Sequence, residues 1–349
     1  MAAPLPVEDL QSVLVGTRGL WDEMRGQRLF LTGGTGFFGC WLVESFRHAN
    51  RTLGLDAAIT ILTRDPKAFS EKCPHIAADA AVSLHAGDVR NFTFPAGEFA
   101  FVIHAATEAR ARQSAEAPLE MLSTIVAGTQ RTLELAATHG TRKFLLTSSG
   151  AVYGRQPDEM THVPETYAGA PDPLNPASVY AEGKRVAELL CAVIQKKSGM
   201  ECKIARCWAF CGPHLPLDEH FAIGNFIADV LAGRTIRIQG DGTPRRSYLY
   251  AADLAAWLWT ILFRGPALTP INVGSDHDVS ILELAQTVAA TLNTQTEIRV
   301  AREPLAGAVP SRYVPCVDRA RELLQLRHTV ALEECIRRTA AWHHTCSTT

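Results

Sequence analysis

The sequence predicts an α/β fold, a doubly wound parallel sheet with helices on both faces, followed by a smaller C-terminal α/β lobe. Three observations predict it. Short apolar runs alternate with amphipathic helical stretches from residue 28 to residue 211, the pattern of parallel strands joined by crossover helices. A glycine-rich turn, Gly33-Gly34-Thr35-Gly36-Phe37-Phe38-Gly39, joins the first apolar run to the first long helix. After Cys211 the chain breaks into shorter pieces at Gly212-Pro213, Pro216 and Gly240-Asp241-Gly242-Thr243-Pro244.

Taken in order, residues 1–27 form an N-terminal extension whose amphipathic stretch, Val7 to Met24, is expected to pack on the outside of the sheet. Residues 28–211 form the dinucleotide-binding domain, Rossmann-type in its pattern. Its strands are expected at Leu29–Leu31, Ala58–Arg64, Val82–His85, Phe99–Ile103, Lys143–Thr147 and Cys202–Cys207. Long helices are expected at Pro118 to His139 and Val179 to Ser198. Residues 212–349 form the substrate lobe, interleaved with the end of the sheet. Its helices are expected at Gly224 to Ala232, Ala252 to Phe263 and Ile281 to Leu292, with short strands at Thr235–Gln239, Ile271–Val273 and Glu297–Val300.

Composition narrows the class of function. The chain has 349 residues, is 47% hydrophobic and 20% charged, and carries a net charge of −2. That balance points neither to nucleic acid nor to an anionic membrane surface. No apolar run of ~18 residues is present, so no membrane span is expected, and the first residues lack the basic-then-apolar pattern of a leader. The nine cysteines form no C-x-x-C pair. Cys202, Cys207 and Cys211 have no matching histidine pair, so no metal site is expected, and the thiols read as reduced groups of a cytoplasmic protein.

Two patterns carry chemistry. Gly33, Gly36 and Gly39 follow G-x-x-G-x-x-G between a strand and a helix. There a dinucleotide pyrophosphate can approach backbone N–H groups at the positive end of a helix, which side chains would obstruct. Tyr180 and Lys184 stand four residues apart, on one face of a helix. A neighbouring ammonium is expected to lower the phenol's pKa, fitting Tyr180 to exchange a proton with an alcohol while a hydride moves at the same carbon. Ser148 and Ser149 end the fifth strand, where open α/β sheets bind ligands, and Ser149 can hold the reacting oxygen by a hydrogen bond.

With these stretches, and with Gly87-Asp88-Val89, His104-Ala105-Ala106, Thr147 to Gly154, Pro176 to Lys184, Arg206 to Pro213 and Gly240 to Arg246, the chain resembles an extended short-chain dehydrogenase/reductase of the nucleotide-sugar epimerase/dehydratase family over residues 28 to 330. The resemblance implies a cofactor site made by Gly33, Thr35, Gly36, Phe37, Phe38, Gly39, Thr63 and Arg64. It further implies that Asp88 and Val89 hold the adenine and that His104, Ala105, Ala106 and Thr107 line the cofactor near its ribose and phosphates. Tyr180 would be the acid/base, Lys184 would bind the nicotinamide ribose and tune Tyr180, and Ser149 would orient the sugar C4 oxygen. On the substrate side it implies Ser148, Asn225, Arg246 and Arg312, the two arginines gripping the diphosphate.

Departures from the family pattern narrow the reaction. Family 4,6-dehydratases carry Asp-Glu where this chain has Gly150 and Ala151, and decarboxylases keep a glutamate at the position of Ala151. Ile125 and Ala209 replace customary asparagines. Reduction or epimerisation at C4 is therefore expected, with Tyr180 alone handling the proton. The second strand ends Leu62-Thr63-Arg64, then Asp65, so NADP(H) is the expected cofactor and NAD(H) the alternative. The first expectation is an NADPH-dependent reductase of a 4-keto nucleotide sugar. The second is a C4 epimerase that retains its cofactor. A third, of another class, is a catalytically silent dinucleotide-binding regulator. A hydroxysteroid- or flavonoid-type reductase is the fallback, disfavoured by the Gly240 to Arg246 loop. The resemblance also implies a homodimer formed through the Pro118–His139 and Val179–Ser198 helices, to which Leu133, Val186 and Leu190 could contribute.

Overall fold

The computed structural model describes residues 2–107, 117–218, 221–292 and 295–348. Its first half alternates β1 (Arg28–Thr32), β2 (Ala58–Thr63), β3 (Val82–Ala86), β4 (Phe101–His104), β5 (Lys143–Ser149) and β6 (Glu201–Cys207) with helices. Among the described residues these strands and the Ile271–Val273 strand form one seven-stranded sheet in the order β3-β2-β1-β4-β5-β6-(Ile271–Val273), and every pairing is parallel. The central strands are apolar on both faces because helices cover both. Leu29, Phe30 and Leu31 of β1 and Phe101, Val102 and Ile103 of β4 are all shielded from solvent, the mark of a parallel sheet.

The helices begin with α1 (Val7–Thr17), α2 (Phe37–Leu53), α3 (Pro66–Lys72), α4 (Pro74–Ala77), α5 (Pro118–Thr138) and α6 (Val179–Ser198). Glycines in left-handed backbone stop two of them, Gly54 after α2 (φ +55°) and Gly199 after α6 (φ +74°), a conformation that side chains disfavour. In the second half Ser280 and Glu283 form a reciprocal capping box at the start of the Ile281–Thr291 helix, which fixes where it begins.

Two elements extend the expected boundaries and one lies elsewhere. β5 continues through Ser148 and Ser149, because both residues keep pairing with β6, at Arg206 and Cys207. The Ile271–Val273 strand joins the main sheet beside β6; its three residues are buried, so the second half of the chain completes the core of the first. The N-terminal stretch lies on helices rather than on the sheet. Trp21 packs 4.8 Å from Trp259 of the Ala251–Arg264 helix, the Tyr250 hydroxyl donates to Asp9 at 2.6 Å, and the Leu5 N–H donates to Glu44 of α2 at 3.0 Å.

Beyond the sheet, Arg245–Ser247 pairs antiparallel with Asp278–Ser280 and parallel with Arg312–Tyr313. Ile236–Ile238 pairs parallel with Ile298–Val300. Of the apolar residues expected at a dimer face, Leu133 is fully buried and Leu190 packs against the same core cluster. On α6, Val186, Leu189 and Val193 are exposed by 36%, 62% and 42%, and their spacing places them on one stripe. No helix among the described residues is long and apolar enough to cross a membrane.

The strand order reverses between β1 and β4, which both neighbour each other and lead away in opposite directions. This is the switch point at which open α/β sheets form a crevice beyond the carboxyl ends of their strands.

Candidate active site

At the switch point the turn after β1 meets the loop after β4. Gly33 has φ +73°, and a Cβ there would stand 2.4 Å from the Ala105 carbonyl oxygen. A Cβ on Gly39 would stand 2.3 Å from the Gly33 oxygen, so helix and strand could not approach. Gly36 differs, since a Cβ there would meet only the Gly33 oxygen, at 3.5 Å. Its backbone is extended and ordinary; the protein itself does not require glycine at this position. Among the described residues no side chain caps the start of α2, and no acidic residue stands in its first turn. An open cradle at the positive end of a 17-residue helix fits a pyrophosphate. Thr35, Phe37 and Phe38 rim this turn, and Phe38 is held edge-on against Phe210 at 5.1 Å.

The rest of the cofactor set divides. His104 does not line the crevice. It is 2% exposed, and its ring nitrogens are engaged with Thr32 at 2.7 Å and Thr129 at 3.0 Å. Burial, reinforced by the Lys184 charge, lowers its pKa to about 3, so it is a neutral strut between β1, β4 and α5. Ala105, Ala106 and Thr107 are partly exposed beyond it. Asp88 receives two hydrogen bonds from the Arg90 guanidinium, both at 2.8 Å, which hold its carboxyl below the usual range; Val89 packs on Gly128. At the end of β2, Thr63 is buried and Arg64 exposed. Asp65 is committed elsewhere, its Oδ1 accepting the Ala68 N–H at 2.9 Å as the cap of α3.

Ser149, Tyr180 and Lys184 converge at the carboxyl end of β5. The Ser149 Oγ accepts the Ala151 N–H at 3.1 Å, and its hydroxyl stands near enough to Tyr180 to favour the phenolate. Lys184 is 2% exposed. Its ammonium donates to Thr107 Oγ1 at 2.7 Å and to the Thr147 carbonyl at 2.8 Å, and burial lowers its pKa to about 8. The expectation that Lys184 acidifies Tyr180 is corrected here. Nζ lies 5.9 Å from the Tyr180 ring centre, and burial pushes the phenol up to about 12, opposed by the nearby Ser149 hydroxyl. Desolvation is the largest influence on the phenol, and the ammonium is engaged by Thr107 and Thr147 instead.

Ser148, expected on the substrate, instead donates to Glu188 at 2.5 Å. Glu188 also takes the Arg206 guanidinium through two bonds, Nε donating at 3.0 Å to the oxygen that Ser148 uses and Nη2 at 2.7 Å to the other. Successive strand residues point to opposite faces, so Ser149 facing the crevice turns Ser148 toward α6. Asn225 sits partly buried on the Ala222–Leu231 helix. Among the described residues its side chain makes no hydrogen bond to the Ser149–Tyr180–Lys184 group.

The same alternation sorts the arginines. Arg245 lies opposite Arg312, and Arg246 opposite Tyr313, in the parallel pairing of their strands. Arg245 and Arg312 share one face, where both engage Asp278, Arg312 at 3.2 Å. Arg312 is therefore held in an ion pair with Asp278. Arg246 and Tyr313 share the other face. Arg246 donates to the carbonyls of Arg245 and Ser311 at 2.8 and 3.5 Å and has no carboxylate partner among the described residues. Burial lowers its pKa, so an anion would be a favourable companion.

Sequence reasoning missed an aromatic wall on this side. Trp208 lies between Tyr153 (5.9 Å) and Tyr313 (4.4 Å), and Tyr167 stacks on Tyr153 at 6.3 Å. Buried Asn272 anchors it, its Oδ1 accepting from the Tyr153 hydroxyl at 3.0 Å and from Trp208 Nε1 at 3.2 Å. These five residues come from five separate stretches, and no local spacing signals them.

Comparison with known proteins places this geometry in context. Residues 29–274 match the NAD dependent epimerase/dehydratase family. UDP-glucuronic acid decarboxylase 5 of Arabidopsis thaliana is 35% identical over 218 residues, covering 62% of each chain; the match thus spans about three-fifths of that relative's length. UDP-glucuronic acid decarboxylase 6 of the same plant is 31% identical over 308 residues, 88% of this chain and 86% of the relative. Among solved structures, the UDP-glucose 4-epimerase of Thermotoga maritima with UDP-glucose superposes with a TM-score of 0.76 at 20% identity, covering 92% of this chain and 99% of that one. With the glycine cradle, the parallel sheet and the matched span in agreement, the chain belongs to the NAD dependent epimerase/dehydratase family.

Proposed function

We propose that this protein is a nucleotide-sugar oxidoreductase acting at the sugar C4, working as an NADP(H)-dependent reductase of a 4-keto sugar. The observation that carries the reading is the placement of Ser149, Tyr180 and Lys184 at the carboxyl end of β5, with an arginine, Arg246, that has no acidic partner among the described residues. A nicotinamide dinucleotide bound along the glycine cradle would supply the hydride. Tyr180 exchanges the proton with the C4 oxygen, Ser149 orients that oxygen, and Lys184, fixed by Thr107 and Thr147, presents its ammonium to the ribose. Arg246 suits the substrate diphosphate by charge and fork geometry. Gly150 and Ala151 offer no side-chain acid or base, which supports redox chemistry over the elimination or decarboxylation that the relatives' names describe.

Arg64 supports the choice of NADP(H). It is exposed at the end of β2 while Asp65 is occupied as a helix cap, leaving a cation rather than a carboxylate to meet a ribose 2′ substituent. A second reading, a C4 epimerase that retains its cofactor, is favoured by the same Gly150-Ala151 pair, since Tyr180 alone could remove and return the proton.

Purified protein tested with nucleotide hexoses and their 4-keto derivatives separates these readings. NADPH consumed in step with 4-keto sugar supports the reductase, and C4 inversion without added cofactor supports the epimerase. Tyr180→Phe is expected to bind sugar nucleotide as tightly as wild type and to lower kcat by at least about 100-fold; unchanged turnover would revive the silent regulator.

A homodimer is proposed through the α6 stripe. Leu189→Asp is expected to give a monomer by light scattering, and an unchanged dimer would place the interface elsewhere. A reducing, cytoplasmic setting is supported by nine cysteines that are all free thiols.

A further inference from the structure

Two stretches far apart in sequence bring together three side chains of the kinds that ligate metals, none of them a residue that forms the crevice. Asp276 and His277 lie in the turn between the Ile271–Val273 and Asp278–Ser280 strands, and His328 lies just ahead of the C-terminal Leu332–Thr348 helix. One ligand atom of each lies within 4.8 Å of the others. The His277 and His328 rings meet edge to face, 4.4 Å between centres. Asp276 Oδ1 is sealed from solvent yet accepts no hydrogen bond among the described residues. His328 Nδ1 stands 3.7 Å from it, beyond hydrogen-bond reach. A buried carboxylate oxygen left in that state is costly, and here it lies against an imidazole. The expectation that the chain holds no metal came from its cysteine spacings; these three ligands come from stretches that only folding joins.

We propose that Asp276, His277 and His328 form a binding site for a divalent transition-metal ion of the zinc kind, which clasps the Gly274–His277 turn to the segment leading into the C-terminal helix. Zinc bonds imidazole nitrogen and carboxylate oxygen at about 2.1 Å, so one ion spans two atoms up to about 4.2 Å apart. The 3.7 Å between Asp276 Oδ1 and His328 Nδ1 falls within that span, and the exposed His277 ring can rotate to close the set. Bonds from outside hold the ligands in place. Asp276 Oδ2 takes Arg321 at 2.9 Å, and Asp318 balances Arg321 at 2.7 Å, so the Asp276 charge is left to meet a cation. His162 Nε2 donates to the Asp276 carbonyl at 2.9 Å, and the His277 N–H donates to Ser275 Oγ at 3.1 Å. Thr329, next to His328, donates to buried Asp253 from its N–H at 2.8 Å and from its hydroxyl at 2.7 Å. Such outer bonds orient ligands before an ion arrives. Two imidazoles and one carboxylate suit zinc, cobalt, nickel or copper, whereas magnesium and calcium call for oxygen ligands. Three protein ligands leave a coordination position to water. This site does not depend on the reaction proposed at the sugar C4.

Cobalt(II) titrated into the whole chain after treatment with a chelator is the probe, because its visible spectrum tells nitrogen and oxygen ligands from the sulfur of the nine free thiols. Wild type is expected to bind about one cobalt per chain with no intense sulfur-to-cobalt band, and zinc is expected to displace it at far lower concentration than magnesium or calcium. His277→Ala removes an exposed ring, so it is expected to fold like wild type and to bind cobalt at least about tenfold more weakly. His328→Ala is expected to weaken binding to the same degree. Zinc at about 100 times its dissociation constant is expected to raise the thermal midpoint of wild type by about 5 °C and to leave that of His277→Ala nearly unmoved. An affinity that neither histidine variant changes, a spectrum dominated by sulfur, or displacement by magnesium as readily as by zinc overturns the site. Should His328→Ala fail to fold, His277→Ala alone decides.

Discussion

Gly36 and Gly39 are both glycines of one turn, yet they are needed for different reasons, and substitution separates them. A Cβ on Gly39 would collide with backbone atoms 2.3–2.4 Å away. Gly39→Ala is expected to destabilise the protein by about 3 kcal/mol or more, read as a fall in the urea midpoint. A Cβ on Gly36 meets nothing nearer than 3.5 Å, and an alanine in place of glycine at a helix cap costs about 1 kcal/mol. Gly36→Ala is therefore expected to lose only about 1 kcal/mol of stability, well short of Gly39→Ala, but to bind NADP(H) at least about tenfold more weakly, since ~1.4 kcal/mol of phosphate contact is readily lost. Calorimetric titration alongside unfolding would check this. Equal cofactor affinity in the Gly36→Ala protein would mean that the pyrophosphate does not pass over this turn. The contrast isolates a ligand requirement from a packing requirement at neighbouring positions.

At the scale of elements, the register of three short strands decides which arginine faces the crevice. Arg246→Ala is expected to weaken binding of a nucleoside diphosphate at least about tenfold. Arg312→Ala, on the Asp278 face, is expected to leave that affinity nearly unchanged. Calorimetry with UDP, CDP, GDP and dTDP would measure both, and a loss at Arg312 equal to that at Arg246 would contradict the face assignment. The periodic elements were legible from residue order alone: buried strands such as Ala58–Thr63 and long helices such as α6 announce themselves by apolar pattern, and Tyr180 and Lys184 sit at a spacing that any helix brings together. What residue order hides is what depends on pairing. Arg312 and Arg246 look equivalent until the strands of two or three residues that carry them are set in register. Ser148 looks like a ligand of the crevice until strand alternation turns it to Glu188. The pKa of Tyr180 depends on how deeply it is buried, and the contact of Tyr313 with Trp208 depends on a lobe folding back over Gly150. None of these has a local signature.

Across the whole molecule, one buried carboxylate joins parts of the chain far apart in sequence. Glu44 of α2 is 2% exposed. One of its oxygens takes the Leu5 N–H at 3.0 Å, and the other stands 3.3 Å from His75 of α4 and 3.5 Å from His214, which follows the turn at Gly212-Pro213. His214 in turn packs 4.4 Å from Trp342 of the C-terminal helix. Burial alone would raise the Glu44 pKa, but His214, His75 and the Leu5 amide outweigh it and bring the carboxyl from 4.5 down to about 2. The sign follows from proton binding. Between pH 2 and pH 4.5 the unfolded chain binds a proton at Glu44 that the folded chain does not, so stability rises with pH across that window, is fully present above it and is lost below it. The shift corresponds to about 3 kcal/mol. Glu44→Gln retains an acceptor for Leu5 and removes the charge. It is expected to lower stability by about 2–3 kcal/mol at neutral pH, with the gap to wild type closing as pH falls from 4.5 toward 2. Urea unfolding of both proteins over that range would measure the gap. A gap that stays constant with pH would mean that Glu44 is already protonated when folded, and that its joining of the N-terminal segment, α2, α4 and the substrate lobe rests on hydrogen bonds alone.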